Sequence, residues 1–257
     1  MNTLTILGAA LIGLSLGLTG AGGSIITLPV LVYLAGLPPK EAVGLSLFVV
    51  GAAALIGALL RIRAGEFHLQ AAGMFALSGM AGAAGGAFLT PLVSGRVLML
   101  IFAGLMLVVA LNMLIGAKKE PSMLAECKPL RCLLAGLGIG VLTGFIGVGG
   151  GFLLMPALVK FARLPLRMAT GTSLAVITFN SAAGFISHFG EAPPRWTLAL
   201  TFAGIAAVGV LLGSASAARL PVARLRQAFA VIWSSPPAAS WSGRAYRDDH
   251  PLQDRLQ

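Results

Sequence analysis

Gly17-Leu-Thr-Gly-Ala-Gly-Gly-Ser-Ile-Ile-Thr-Leu-Pro29 returns 127 residues later as Gly144-Phe-Ile-Gly-Val-Gly-Gly-Gly-Phe-Leu-Leu-Met-Pro156. The match continues without a gap from Gly17–Met106 onto Gly144–Trp233, and over Gly17–Leu47 it keeps 14 of 31 positions. Besides the turn glycines these include Pro29/Pro156, Pro38/Pro165, Gly44/Gly171 and Ser46/Ser173. A Gly-rich composition alone would give far fewer, so the chain is a tandem duplication.

What is duplicated is a membrane unit. Of 257 residues, 57% are hydrophobic and 10% charged, whereas a soluble domain has about 25% charged residues. Apolar runs of 17 to 25 residues fill most of the chain from Leu4 to Trp233, and a helix of about 20 residues spans a bilayer. Barrel strands would alternate apolar with polar, so the fold class is an all-α polytopic membrane protein. The net charge of +10 comes from Lys and Arg in the gaps between apolar runs. That leaves no continuous basic face for nucleic acid, and membrane lipids are the expected surroundings. Cys127 and Cys132 show no metal-ligand or disulfide framework and read as reduced bystanders. The N-terminal apolar stretch has no basic flank or cleavage signal and reads as a retained segment.

Each half reads as one long apolar stretch interrupted by glycines, then three helices. In half one the segments are 3–36, 41–62, 68–92 and 96–116; in half two they are 132–162, 168–189, 196–218 and a stub from 222. The organisation is therefore a first repeat over 1–116, a charged linker over 117–131, a second repeat over 132–233 and a polar tail over 234–257. By the repeat offset the last helix should run from Ala223 to about residue 243, yet its apolar character stops near Trp233. A frameshift or truncation accounts for the tail; a natural disordered tail is the alternative.

Loop charges decide how the Gly-interrupted stretch is threaded. If it crosses once, Lys and Arg up to residue 226 divide seven against eight. If it folds back at the glycines, they divide twelve against three, with Arg61, Arg63, Lys118, Lys119, Lys128, Arg131, Lys160, Arg163, Arg167, Arg219, Arg224 and Arg226 on one side and Lys40, Arg96 and Arg195 on the other. The positive-inside rule selects the fold-back and puts the twelve in the cytoplasm. Folding back leaves an odd number of net crossings per half, so the repeats have inverted topology, as in many secondary transporters. The arms, about 17 and 13 residues long, reach roughly 25 and 20 Å. Both a re-entrant hairpin and two short tilted spans fit that length.

The chemistry expected in the bilayer is that of an anion site. Glycine lets the backbone leave helical geometry and approach a ligand, and the helix that follows presents unpaired N–H groups at a positive dipole end. Gly20, Gly22, Gly23 and Ser24 in half one, and Gly147, Gly149, Gly150 and Gly151 in half two, are the candidate cradles for a small anionic substrate. Ser46, Thr172 and Ser173, early in the helix after each fold-back, add hydroxyls; bonding only to the preceding turn or a neighbouring helix is the equal alternative. Asn180, opposite Ala53 at the repeat offset, is a further candidate ligand, with an interhelix hydrogen bond as the plainer reading. The pairs Gly13/Gly17, Gly82/Gly86 and Gly136/Gly140 read as close-packing positions. All eight acids fall in loops or the tail, which argues against a carboxylate proton relay or a buried cation site. His188 titrates near neutral pH in principle, though an interfacial histidine without a role is the simpler expectation. No catalytic constellation lies inside the membrane, and neither a cofactor nor a metal is implied.

The paired Gly-rich turns, together with Gly171-Thr-Ser-Leu-Ala-Val-Ile177 and Ser187-His188, resemble the TauE/SafE sulfite-exporter family of permeases over about residues 4–233. The resemblance implies movement of small sulfur-containing anions or organic acids, such as sulfite, sulfonates or sulfoacetate, across a bacterial inner membrane. The polar tail departs from that family. A passive anion channel and a non-transporting scaffold subunit are the competing readings, and homo-oligomerisation is left open.

Overall fold

In the computed structural model, residues 3–116, 129–188 and 195–219 are described. Most of the linker, the stub after residue 222 and the tail over 234–257 lie outside the described residues.

The described residues are all helical and contain no strand. Half one holds α1 (Thr3–Thr19), α2 (Gly22–Pro29) running into a π-helical turn (Val30–Leu34), α3 (Pro39–Arg63), α4 (Leu69–Ala87) and α5 (Gly95–Gly116). Half two holds α6 (Pro129–Ile146), α7 (Gly151–Phe161), α8 (Leu166–Ser187) and α9 (Trp196–Arg219). Among the described residues, four helices are long and apolar enough to cross a membrane: Pro39–Arg63, Pro129–Ile146, Leu166–Ser187 and Trp196–Ala217.

The boundaries have local causes. Pro38 and Pro165 stand at the N-caps of α3 and α8 in extended geometry, with φ −55° and −56°; proline's fixed φ and missing N–H suit a helix start. At the N-cap of α4, His68 Nδ1 accepts from the Ala71 amide at 3.2 Å. α4 stops at Ala87, short of the expected residue 92, and 88–93 form turns around Pro91. The π turn ends at Leu34 with Ala35 as its C-cap, Gly36 follows at φ +68°, and at the same repeat position as Gly36 Arg163 holds φ 52° without being glycine.

Fold-back at the glycines is observed. Gly8 faces Val30 and Leu34, Gly23 faces Ile12 and Leu16, and Thr5 Oγ1 donates to the Leu34 carbonyl at 3.3 Å. α1 and α2 are thus antiparallel arms of one hairpin.

The largest helix contacts join the halves: α1 packs on α9, α4 on α6, and α3 on α8. A β-carbon on Gly13 or Gly17 would overlap the carbonyls of Ala206 or Val210, and one on Gly140 or Gly144 those of Gly79 or Ala83. The second contact set stands 127 residues from the first. Small residues bring backbones this close where lipid supplies no hydrophobic drive between helices. Outside this core, Leu7, Leu11, Leu100, Leu134, Leu200 and Leu212 are exposed, as lipid-facing side chains should be.

Two sequence expectations change. Cys132 is disulfide-bonded, not reduced; Cys127 lies outside the described residues. Glu41 belongs to the first turn of α3, not to a loop. An acid there complements the helix dipole, and it also lies 3.8 Å from Arg195.

Candidate functional site

Both turns start in the same way and finish differently. Gly20 and Gly147 adopt φ +71° and +76°, and each amide donates to the carbonyl four residues back, at 2.7 and 2.9 Å. Left-handed backbone of this kind is what glycine adopts without strain. In half one the hydroxyl of Thr19 accepts from the Gly22 amide at 2.8 Å and the Ala21 amide at 3.4 Å. That side-chain cap lets α2 begin at once with Gly22. Half two has Ile146 at the position of Thr19 and no such acceptor. Its turn stays open through Gly149 and Gly150, both left-handed at +65° and +64°, and α7 begins only at Gly151. Gly22 and Gly149, equivalent by sequence, are therefore not equivalent in backbone.

Each turn is braced from the opposite half. Ser46 on α3 donates to the Gly147 carbonyl, and Ser173 on α8 donates to the Gly20 carbonyl at 3.1 Å. Each hydroxyl also reaches the carbonyl three residues back in its own helix, at 2.8 Å. One hydroxyl proton already shared by two carbonyls is a poor anion donor. These serines hold the turns in place.

The turns meet. A β-carbon on Gly151 would lie 3.1 Å from Ser24 Oγ and 3.2 Å from Ala21 Cα. Ser24 Oγ itself donates to the Ala21 carbonyl at 2.7 Å. Thr172 is not brought to this junction: its hydroxyl accepts from the His68 amide at 3.1 Å, in the loop between α3 and α4.

Two adjacent side chains on α8 stand out, one facing the second turn and one facing α4. Asn180 and Ser181 are both fully buried, and neither the carboxamide N and O of the first nor the hydroxyl of the second has a hydrogen-bond partner. Ser181 Oγ faces Gly149, 3.4 Å from where a β-carbon there would lie. The Asn180 carboxamide lies flat on the backbone of Gly79, leaving no room for a side chain at that position. Unpaired buried polar atoms are costly, about 1–3 kcal/mol each, and a native protein keeps few of them without a reason. Repeat matching misses Ser181, whose partner is Ala54; its adjacency to Asn180 in an apolar helix is the signal the sequence does carry.

Among the described residues, charge lies away from the junction, and a buried cluster of it closes one end of the bundle. Arg61, 5% exposed, pairs with Glu66 and donates to the Gly17 carbonyl at 3.2 Å, while Arg167 reaches the other Glu66 oxygen at 3.4 Å. The cluster ties the end of α3 to α1 just ahead of the first turn, and the next loop to α8.

The sequence profile of the sulfite exporter TauE/SafE family matches residues 5–234. The chain belongs to that family. Among its relatives, a probable membrane transporter protein of Xylella fastidiosa is 33% identical over 236 residues, covering 89% of this chain and 90% of that protein. The Bacillus subtilis protein YunE, also named a probable membrane transporter, is 27% identical over 77% of this chain and 82% of its own length. A Methanocaldococcus jannaschii protein of the same description is 27% identical over 72% of this chain and 71% of its own length. No solved structure matches the chain. This TauE/SafE member is a multi-pass membrane transporter, and the family and relatives' names point to transport rather than catalysis.

Proposed function

We propose that the protein is a secondary transporter of small oxyanions, of the size and charge of sulfite, sulfonates or short organic acids, bound where the two glycine turns meet. The observation that carries this reading is the unpartnered, fully buried Ser181 facing the second turn, with the unpartnered, fully buried Asn180 next to it in α8. The Ser181 hydroxyl, facing Gly149 just ahead of the N-terminal amides of α7, supplies a neutral donor at that turn, and the carboxamide of Asn180, on the α4 side of the same helix, a second one near it. An oxyanion satisfies all of them and brings the negative charge that the helix dipole favours.

In this reading Gly149, Gly150 and Gly151, with Asn180 and Ser181, contact the anion. Gly20, Gly22, Gly23 and Ser24 form the facing turn, Ser46 and Ser173 position the two turns, and Thr172 lies outside the site. The repeats over 1–116 and 132–233 have inverted topology, supported by the fold-back of each Gly-interrupted stretch and the reciprocal serine braces. The loops at 61–67, 117–131, 160–167 and 219–226 are cytoplasmic by the twelve-to-three charge division. Anion sites between inverted repeats with broken helices suit alternating access.

The test is uptake of labelled sulfite, sulfate, taurine, sulfoacetate and acetate into proteoliposomes holding the full chain, against Asn180→Ala and Ser181→Ala. Accumulation of at least one oxyanion, lost or weakened in both variants, supports the reading. No anion above the protein-free control, or unchanged apparent affinity in both variants, rejects it.

A further inference from the structure

Arg61, a permanent cation at the end of α3, is buried without using all of its donors. Nη1 donates to Glu66, Nη2 donates to the Gly17 carbonyl at 3.2 Å, and Nε, also buried, has no partner. Glu66 gives its Oε2 to Arg61 and its Oε1 to Arg167 Nη1 at 3.4 Å. Guanidinium and an oxyanion pair most strongly through two parallel N–H bonds. Glu66 does not make that pairing with Arg61, and an N–H left over on a buried cation is costly.

Glu66 belongs to the short loop between α3 and α4, and the loop is seated on the first turns of α8. Its Glu66 carbonyl leaves no room for a side chain at Gly171, and the His68 amide donates to Thr172 Oγ1 at 3.1 Å. Arg167, Gly171 and Thr172 thus hold one loop by a side chain, a close backbone approach and a hydroxyl. The other repeat shows how much of this the duplicated frame requires. By the offset of 127 residues, Arg61 corresponds to His188, Glu66 to Pro193, Arg167 to Lys40 and Gly171 to Gly44. A β-carbon on Gly171 would lie 3.0 Å from Arg61 Cβ, whereas one on Gly44 would lie 3.9 Å from His188 Cβ. The frame is therefore drawn in more tightly at the Arg61 end, where the first repeat alone supplies a carboxylate.

We propose that Arg61 is an oxyanion-binding residue at this end of the bundle, and that Glu66 fills its place as a carboxylate tethered to the chain. A small carboxylate or sulfonate arriving from solution exchanges with Glu66 and releases the loop from α8. With the loop seated, Arg61 Nη1 is taken; with the loop lifted, it is open, so the anion binds the lifted state and shifts the population toward it. The way in is graded, since side-chain exposure falls from 43% at Arg167 to 17% at Glu66 and 6% at Arg61. An anion on Arg61 is also felt at the first turn, because the same guanidinium holds the Gly17 carbonyl three residues ahead of Gly20. The ligand class is read from the carboxylate of Glu66 and does not depend on Ser181. Onward passage of the anion to the junction of the turns does rest on the oxyanion site proposed above.

The test uses the full chain in lipid nanodiscs, with methanesulfonate and acetate as probes and chloride at equal ionic strength to remove plain screening as a cause. In the native protein, hydrogen–deuterium exchange at the amides of residues 66–68 should run about threefold faster or more in methanesulfonate than in chloride. Glu66→Ala should lower Tm by about 5–10 °C, as loss of one partner of a buried pair does, and either oxyanion should return at least half of that loss. Both effects should persist in a Ser181→Ala background. Exchange of the native loop that ignores methanesulfonate, or a Glu66→Ala protein restored equally by chloride, reduces the cluster to a structural ion pair and overturns the proposal. Effects that vanish with Ser181→Ala place the anion at the turns and overturn it as well. Should Glu66→Ala fail to fold, the exchange measurement on the native chain decides alone. Absence of anion transport in a protein that keeps both effects would reject the site at the turns and leave the Arg61 site standing.

Discussion

Ser181→Ala separates a ligand group from a packing group, because the two roles predict opposite signs in one experiment. The hydroxyl is fully buried and has no partner, so in the ligand-free protein it stabilises nothing and carries a desolvation cost of about 1–3 kcal/mol. Removing it should leave stability unchanged or raise it by about 1 kcal/mol, which for a chain of this size lifts Tm by about 2–4 °C. With an oxyanion bound, the same hydroxyl donates to a charged acceptor, an interaction of about 1.5–3 kcal/mol. Its loss should weaken binding by roughly 10- to 150-fold. Thermal unfolding of the purified full chain, titrated with whichever anion shifts the native Tm, reads both numbers, since a ligand binding only the folded state stabilises it by RT ln(1 + [L]/Kd). A ligand-free Tm that falls by several degrees, with an unchanged anion-dependent shift, would show that Ser181 is a core residue and refute the assignment.

The two turns should respond differently to substitution. Gly149→Ala forces a side chain into left-handed backbone and 2.6 Å from Val50 Cγ1; by circular dichroism melting it should cost about 1 kcal/mol more than Gly22→Ala at the first position of α2. Thr19→Val removes the cap on the Ala21 and Gly22 amides and should lower stability by about 1 kcal/mol in the same melts, whereas Ile146→Val at the equivalent place should cost under about 1.5 kcal/mol through packing alone. Gly144→Ala sets a methyl against the Ala83 carbonyl and should destabilise the α4–α6 contact by about 1–3 kcal/mol, with transport falling only in proportion to folded protein. Single-cysteine labelling from outside intact cells, in a background lacking Cys127 and Cys132, should modify residue 40 and spare residues 63 and 119; modification of residue 119 would invert the topology.

How much of this was legible beforehand depends on the kind of signal. Gly20 and Gly147 stand out because a backbone requirement survives duplication: both must be left-handed, and a repeated glycine shows it. Charge counting also pointed to the fold-back seen at α1 and α2, since the Lys and Arg bias between the two sides of a membrane is written in the loops themselves. The roles of Ser46 and Ser173 were not legible, because a hydroxyl that donates across to another repeat and one that faces a ligand look alike in one dimension. The difference between Gly22 and Gly149 was hidden for a related reason: it comes from Thr19 against Ile146, a substitution that apolar patterning scores as neutral within a membrane segment. Ser181 was invisible to a search built on repetition, its partner at the offset being Ala54.

That last point bears on mechanism. The duplication supplies a near-symmetric frame in which α1 on α9 mirrors α4 on α6 and each turn is braced by a serine of the other half. A symmetric frame alone would offer two equal anion sites and two equal ends. The polar departures from symmetry are divided between the turns: the first turn is closed by the Thr19 cap, whereas the second keeps an open backbone through Gly149 and Gly150 with the unpartnered Ser181 facing it. On the site proposed above, a single anion between two turns of unequal donor strength would be held mainly by one repeat while the other moves past it. On that argument, exchanging Thr19 and Ile146 should shift the open turn toward half one and weaken anion binding, because the donors on α8 would no longer face it.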